Sequence, residues 1–254
     1  MQLMNNILLF SLIIMRISGF ILFNPIFGRR NIPNIIKAGI ILLMSFIIIS
    51  YQFNETVIVD TVIEYSLLLV KEFFCGFAIG TVVNLFLYII ILGGEIIDFQ
   101  MGTSMSKVFD VQSNSSLALS STFFNILFVL LFFSSDAHLI LIRIFLNSNE
   151  IVPYGNISIN QELSSAILTV FRDCTVLAVK LSMPIMAAEM IGEIGVGILM
   201  KTIPQINVFV VNIQTKILVG LILLILLFSP MSQFIENCIE LMFKSIQDIL
   251  IFMK

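Results

Sequence analysis

Long apolar segments, some of them long enough to cross a lipid bilayer, constrain this chain more than any other feature. The first runs from Ile7 to Phe27, and its roughly 20 residues would cover the hydrocarbon core of about 30 Å at about 1.5 Å per residue. Hydrophobic residues make up 59% of the chain and charged residues only 11%, against about 25% in soluble proteins. Backbone polar groups must be paired within such segments, which favours helices. The sequence therefore predicts an all-α integral membrane protein of about six to seven apolar helices and helical hairpins.

The apolar segments are uneven in length and carry charges. Ala38 to Ser50 is short for a span, whereas Val62 to Leu92 is too long for one and is interrupted by Lys71-Glu72. Arg16 lies near the centre of the first segment, where it needs a protein or water partner. Ile167 to Met200 contains several ionisable groups that cannot all face lipid, and Pro184 as a kink site. These groups are Arg172, Asp173, Lys180, Glu189 and Glu193.

Polar breaks divide the second half of the chain. Leu117 to Phe145 is interrupted at Ser134 to His138, which predicts a helical hairpin or a bend. Asn147 to Glu162 contains proline and glycine and is predicted to be an exposed connection, with a domain boundary between residues 160 and 161. Lys201 to Pro204 is predicted to be a tight turn, followed by a partner helix from Ile206 to Phe228.

The last segment has the pattern of an amphipathic helix that does not span. Ser229-Pro230 is a start signal, because a serine cap followed by proline suits the first helical position. Apolar residues then recur at spacings of three and four, which predicts one buried face. The residues of that face are Ile235, Ile239, Met242, Ile246, Ile249 and Met253.

Gly93 to Ser116 is the longest polar passage and lies between strongly apolar regions. It is too polar to face lipid, so it must lie in water or be sheltered by protein. Loops of more than about 15 residues without periodicity are usually functional or disordered. Its methionines, Met101 and Met105, and Phe109 favour a packed role, because a solvated tether has no use for them. An ordinary solvent loop remains the alternative.

Basic residues lie in alternate connections between the apolar segments. Arg29, Arg30 and Lys37 fall in the first connection, Lys107 in the third and Lys201 in the fifth. Because cytoplasmic loops carry the excess of Lys and Arg, we expect the odd-numbered connections on the cytoplasmic side.

Three functional classes fit apolar, broken and charged helices: a solute transporter, a translocation pore and an intramembrane enzyme. Catalysis is disfavoured, since His138 is the one histidine and no hydrolase or metalloprotease motif surrounds it. We expect no catalytic residues, cofactor or metal. A net charge of −3 without basic clusters also argues against nucleic acid. A small-solute or ion transporter stays open as the alternative to a pore.

Several stretches in order resemble the FliR family of flagellar export-gate proteins and, more distantly, their counterparts in virulence type III secretion. The family commonly has Asn-Gly where this chain has Asp136-Ala137, and proline where it has Val111. The matching stretches are Pro25 to Gly39, Gly94 to Asp110, Asp136 to Leu139, Met183 to Gly197 and Pro204 to Leu221.

The resemblance implies a subunit of the gate through which unfolded flagellar proteins leave the cytoplasm. Residues 1–160 would be FliP-like helical hairpins, and residues 161–254 a FliQ-like hairpin with a C-terminal amphipathic helix. The implied partners are FliP-like, FliQ-like and FlhB-like proteins, unfolded flagellar substrates and membrane lipid. The implied location is the bacterial inner membrane, at the flagellar basal body.

The resemblance also assigns roles to residues. A loop that plugs the closed channel corresponds to Met101, Gly102, Thr103, Ser104, Met105, Ser106, Lys107, Val108, Phe109 and Asp110. Contacts on the cytoplasmic side, including those with an FlhB-like partner, correspond to Arg29, Arg30, Lys37, Lys201, Gln205 and Asn207. The buried-type charges Arg16, Glu189 and Glu193 are expected to join helices to one another.

Overall fold

The computed structural model describes residues 2–29, 31–51, 61–103, 118–158, 160–202 and 208–254. Over these ranges the chain forms nine helices and no strand, which confirms the predicted all-α class. The helices are α1 Gln2–Phe23, α2 Asn34–Tyr51, α3 Val62–Gln100, α4 Leu119–Ser134, α5 Ala137–Leu146, α6 Ser148–Ile151, α7 Gln161–Thr202, α8 Val208–Leu226 and α9 Phe228–Phe252.

Three of these helices, α1, α3 and α7, are long and apolar enough to cross a membrane. The number of spans rises to as many as five if each of the broken pairs α4–α5 and α8–α9 forms one. The predicted integral membrane protein is thereby confirmed.

The chain divides into two compact units. Unit 1 comprises Met1–Phe86, Asp136–Phe171 and Glu240–Lys254, and unit 2 comprises Leu87–Ser135 and Arg172–Ile239. The predicted boundary between residues 160 and 161, drawn for FliP-like and FliQ-like parts, stays a prediction.

Unit 1 is organised around a close contact between α1 and α3. A Cβ atom on Gly76 would collide with the carbonyl oxygen of Arg16, and one on Gly19 would collide with that of Phe73. The two backbones therefore touch through Gly19 and Gly76, because small residues let helices approach closely. Phe20 beside this contact stacks on Phe145 of α5 with ring centroids 4.7 Å apart.

Glycine residues also allow close helix contacts in unit 2, at the end of α3. A Cβ on Gly93 would lie 2.8 Å from a methyl carbon of Leu181 in α7. A Cβ on Gly94 would lie 2.6 Å from the backbone nitrogen of Ser121 in α4. The last turns of α3 are thus held tightly between two neighbouring helices.

Three expectations about these elements are wrong. Lys71-Glu72 does not interrupt α3, because Glu72 is fully buried and paired inside unit 1. Residues 93–100 of the polar passage belong to α3, not to a loop. The connection from Asn147 is not exposed over its length, since Ser148, Val152 and Tyr154 are buried.

Other expectations hold. The polar break after Ser134 does interrupt the helix, and Asp136 adopts a left-handed backbone with φ 54°. α9, however, begins at Phe228, so Ser229 and Pro230 lie within its first turn and not at the cap and first position that the sequence predicts. The predicted buried face is confirmed: its five residues in α9, and Met253 directly after the helix, are each exposed by at most 4%.

Candidate functional site

A buried ion pair joins α1 to α3 inside unit 1. Nε of Arg16 donates to Oε2 of Glu72 at 2.6 Å, and both side chains are completely buried. The second carboxylate oxygen of Glu72 accepts a hydrogen bond from the backbone N–H of Gly155 at 2.8 Å. Glu72 therefore uses both oxygens, one for the charge on α1 and one for the connection that follows α6.

The remaining contacts of Arg16 fix the same connection. Its Nη1 donates to the hydroxyl of Ser148 at 3.2 Å and to the carbonyl oxygen of Val152 at 3.0 Å. Its guanidinium carbon lies 4.2 Å from the ring centroid of Tyr154, within reach of a cation–π interaction. Arg16 thus contacts the carboxylate of Glu72, the backbone of Val152 and the ring of Tyr154. These contacts allow a charged side chain to lie within an apolar segment.

A second polar cluster, in unit 2, lies at the two ends of the predicted plug loop. Asp98 is 1% exposed, and its carboxylate oxygens accept the backbone N–H of Ser120 at 3.1 and 3.0 Å. Ser120 lies in the first turn of α4, where N–H groups have no partner within the helix and favour negative charge. The end of α3 and the start of α4 are therefore joined.

Residues 101–103, the described part of the predicted plug, are compact. Gly102 ends α3 with φ 76°, a left-handed conformation that suits glycine at this position. The hydroxyl of Thr103 donates to the carbonyl oxygen of Asp98 at 2.9 Å. Met101 is fully buried, and its side chain lies where a Cβ on Gly220 of α8 would be, with the methyl carbon 2.6 Å away. The predicted plug residues Ser104, Met105, Ser106, Lys107, Val108, Phe109 and Asp110 lie outside the described residues.

The predicted cytoplasmic contacts are only partly described, since Arg30, Gln205 and Asn207 fall outside the described residues. Arg29 and Lys201 are exposed, in different units of the chain. Lys37 is half-buried and donates to the carbonyl oxygen of Gly28 at 3.0 Å. Lys37 therefore closes the turn between α1 and α2 in addition to carrying a charge.

The other two predicted structural charges lie on α7. Glu193 forms an ion pair with Lys216 of α8, and both side chains are partly exposed. Glu189, one turn earlier, is 1% exposed, and its Oε1 has no hydrogen-bond partner among the described residues. The structure thus places Arg16 and Glu193 in contacts between helices.

Sequence reasoning missed Glu72 and Asp98 as organising residues. Both were visible as acidic residues beside apolar helical sequence, FFCG after Glu72 and II before Asp98. An isolated carboxylate in such a setting is costly unless paired, and that rule could have singled both out. The described residues contain no group of three His, Cys, Asp or Glu side chains suited to a metal ion.

Fold and site together define an all-α membrane protein in which buried charged side chains join helices to one another. Residues 7–242 match the family model described as bacterial export proteins, family 1, and the chain belongs to that family.

Curated relatives extend the similarity over nearly the full length. The flagellar biosynthetic protein FliR of Bacillus subtilis is 28% identical over 95% of this chain and 94% of its own length. The protein of the same name from Pectobacterium carotovorum is 29% identical over 92% and 90%. That of Aquifex aeolicus is 28% identical over 83% and 81%. These matches confirm the resemblance to the FliR family.

Proposed function

We propose that this protein is a subunit of the flagellar type III protein export gate and forms, with FliP-like and FliQ-like subunits, the channel for unfolded flagellar proteins. The observation that carries the proposal is the family match over residues 7–242, together with full-length relatives named flagellar biosynthetic protein FliR. Such a subunit would belong to the bacterial inner membrane at the flagellar basal body.

The same proposal includes a plug formed by the loop that begins at Met101. Support comes from its two ends, because Asp98 joins the start of α4 to the end of α3 and Met101 packs on α8. A plug needs fixed ends, whereas a solvent loop does not. Methionine and phenylalanine offer soft apolar bulk that seals against ions and can still be displaced.

Shortening the loop tests the plug. Removing residues 105–112 keeps Thr103 and Ala118, and therefore both anchored ends. We expect the gate to assemble and to leak ions, measured as conductance in cells after assembly is verified by co-purification. The matched control replaces residues 105–112 by Gly and Ser at equal length, which removes the apolar side chains without shortening the segment. This variant should also leak if the apolar side chains form the seal. An assembled deletion with unchanged ion permeability would remove the plug from the proposal.

A small-solute transporter gains no support from the cavity next to this site. The cavity has a volume of about 560 Å³ and is lined by apolar side chains of α4, α8 and α9, with Ser120 as its polar residue. Solute sites combine apolar walls with several convergent polar groups. Saturable uptake of a solute, or its stabilisation of the purified protein against heat, would instead favour the transporter.

Exposed basic residues support a contact with an FlhB-like partner on the cytoplasmic side. Arg29 and Lys201 are both exposed and free to meet another protein. Site-specific photocrosslinking from position 29 should capture the FlhB-like protein in assembled gates. Crosslinks formed only with lipid would leave Arg29 a topology signal.

A further inference from the structure

One buried carboxylate, that of Asp98, contacts residues on both sides of residues 104–117. On one side it accepts the N–H of Ser120 with both oxygens, at 3.1 and 3.0 Å. On the other side Thr103 donates to its Oδ1 at 3.2 Å and to its backbone carbonyl oxygen at 2.9 Å. The two contacted residues lie on opposite sides of residues 104–117.

The position of Asp98 makes these bonds strong. The side chain is 1% exposed, so water does not compete for the carboxylate. Hydrogen bonds to a charged acceptor are roughly twice as strong as neutral ones. The acceptor also faces the start of α4, where the helix dipole favours negative charge.

Two further close contacts lie near the end of α3, one with α4 and one with α8. Gly94 lets α3 approach Ser121 so closely that a Cβ would lie 2.6 Å from its backbone nitrogen. The buried side chain of Met101 packs against Gly220, so the residue before Gly102 is fixed to α8. The end of α3 therefore contacts both the start of α4 and α8, and we expect it to keep these neighbours during transport.

We infer that Asp98 is the positioning residue of the gate, and that its carboxylate keeps the end of α3 joined to the start of α4 in the conducting as well as the closed state. This inference rests on the proposed export function and adds to it the group that sets where the ends of the plug lie. The N–H of Ser120 and the hydroxyl of Thr103 are the groups that Asp98 holds.

The first test replaces Asp98 by asparagine, which keeps the shape and removes the charge. The Asp98→Asn gate should leak ions about tenfold or more above wild type per assembled complex, because an amide accepts the N–H of Ser120 more weakly. Glu95→Gln is the matched control, since Glu95 lies one turn earlier on α3 and is exposed. A carboxylate that served stability alone would lower the amount of assembled gate and leave the leak per gate unchanged. That result would overturn the inference.

A second test replaces the carboxylate by a covalent bond that can be opened. The assembled double variant Asp98→Cys, Ser120→Cys is treated with a diazene thiol oxidant, which accepts two electrons and two protons as the two thiols form a disulfide, and the disulfide is verified by mobility on a non-reducing gel. The oxidised gate should seal and export flagellar proteins, and reduction of the assembled gate should make it leak. Single-cysteine variants treated in the same way are the controls.

The outcomes of the second test separate the inference from the proposed function. Export that stops on oxidation and returns on reduction would mean that the helix ends must part, which overturns the inference. A sealed gate after reduction would overturn it too. If removal of residues 105–112 causes no leak, the plug itself fails, whatever the cysteine pair does.

Discussion

Arg16 and Glu72 form an ion pair whose energy differs from that of a surface pair, because both groups are completely buried. Surface pairs contribute about 0–1 kcal/mol, whereas removing one partner of a buried pair leaves an uncompensated charge. The pair also binds the connection through Gly155 and Val152, so its loss would affect more than two helices. At this scale a single charge explains why a polar connection is packed against apolar helices.

Glu72→Leu should therefore lower the free energy of unfolding by about 3–5 kcal/mol, since Arg16 would keep its charge without a carboxylate. The double variant Arg16→Met, Glu72→Leu should be less destabilised than Glu72→Leu alone. It should not recover fully, because Gly155 and Val152 lose hydrogen-bond partners. Thermal unfolding of the assembled complex in detergent gives the order of stability of the wild type, the single variant and the double variant. A single variant as stable as the double variant would contradict the role of the pair.

Asp136 offers a stabilising substitution. Its backbone has φ 54° and ψ 20°, its side chain is exposed and it makes no capping hydrogen bond to α5. Glycine adopts this conformation without steric cost, so Asp136→Gly should raise stability by about 1 kcal/mol. Ser135→Gly is the control, because φ there is −89° and glycine relieves no strain: it adds unfolded-state entropy and removes the hydrogen bond from the Ser135 hydroxyl to the carbonyl oxygen of Leu131. A thermal shift in the same direction for both variants would show that backbone strain at Asp136 is not the cause.

At the scale of helices, the contact of α1 with α3 depends on missing side chains. A Cβ on Gly76 would collide with the carbonyl oxygen of Arg16 and lie 2.7 Å from the nitrogen of Phe20. Gly76→Ala should cost about 1–3 kcal/mol, because the helices must move apart. Gly39→Ala in α2 is the matched control, since no atom lies within 4 Å of its Cβ position and alanine favours helix by about 1 kcal/mol. Opposite shifts of the melting temperature are expected, and equal shifts would contradict the close contact.

The helices also explain which predictions from sequence succeeded. Two predictions from local patterns were correct. Periodicity predicted the apolar face of α9, and a run of polar residues predicted the helix break at Ser134. Polarity was misleading where its partner was distant in sequence. The sequence suggested that Asp98 belongs to a loop, although it lies in a helix and its carboxylate accepts a hydrogen bond from Ser120. The sequence suggested that the connection near Val152 is solvated, although the carbonyl oxygen of Val152 accepts a hydrogen bond from Arg16. Sequence alone contains no signal for pairings across 22 or 136 residues.

For the whole molecule, helix length decides how much of the chain lipid can cover. α3 has 39 residues and α7 has 42, so at about 1.5 Å per residue they extend about 58 and 63 Å. The hydrocarbon core is about 30 Å thick, so each helix exceeds it by a factor of about two. Large apolar residues are exposed along α7 from Leu168 to Leu199. The parts of α7 beyond the hydrocarbon therefore need a protein surface to cover them.

This requirement predicts an obligate subunit. Expressed alone, the chain should give low yield or aggregate in detergent, because large contiguous apolar surfaces outside lipid promote association. Co-expression with FliP-like and FliQ-like partners should give a monodisperse complex, measured by size-exclusion chromatography with light scattering under the same conditions. The Gly39→Ala protein, which gains one methyl group on α2 and leaves α7 unchanged, should behave like wild type in both preparations. A stable, monodisperse monomer obtained without partners would contradict the prediction, because the exposed residues of α7 would then need no cover other than detergent.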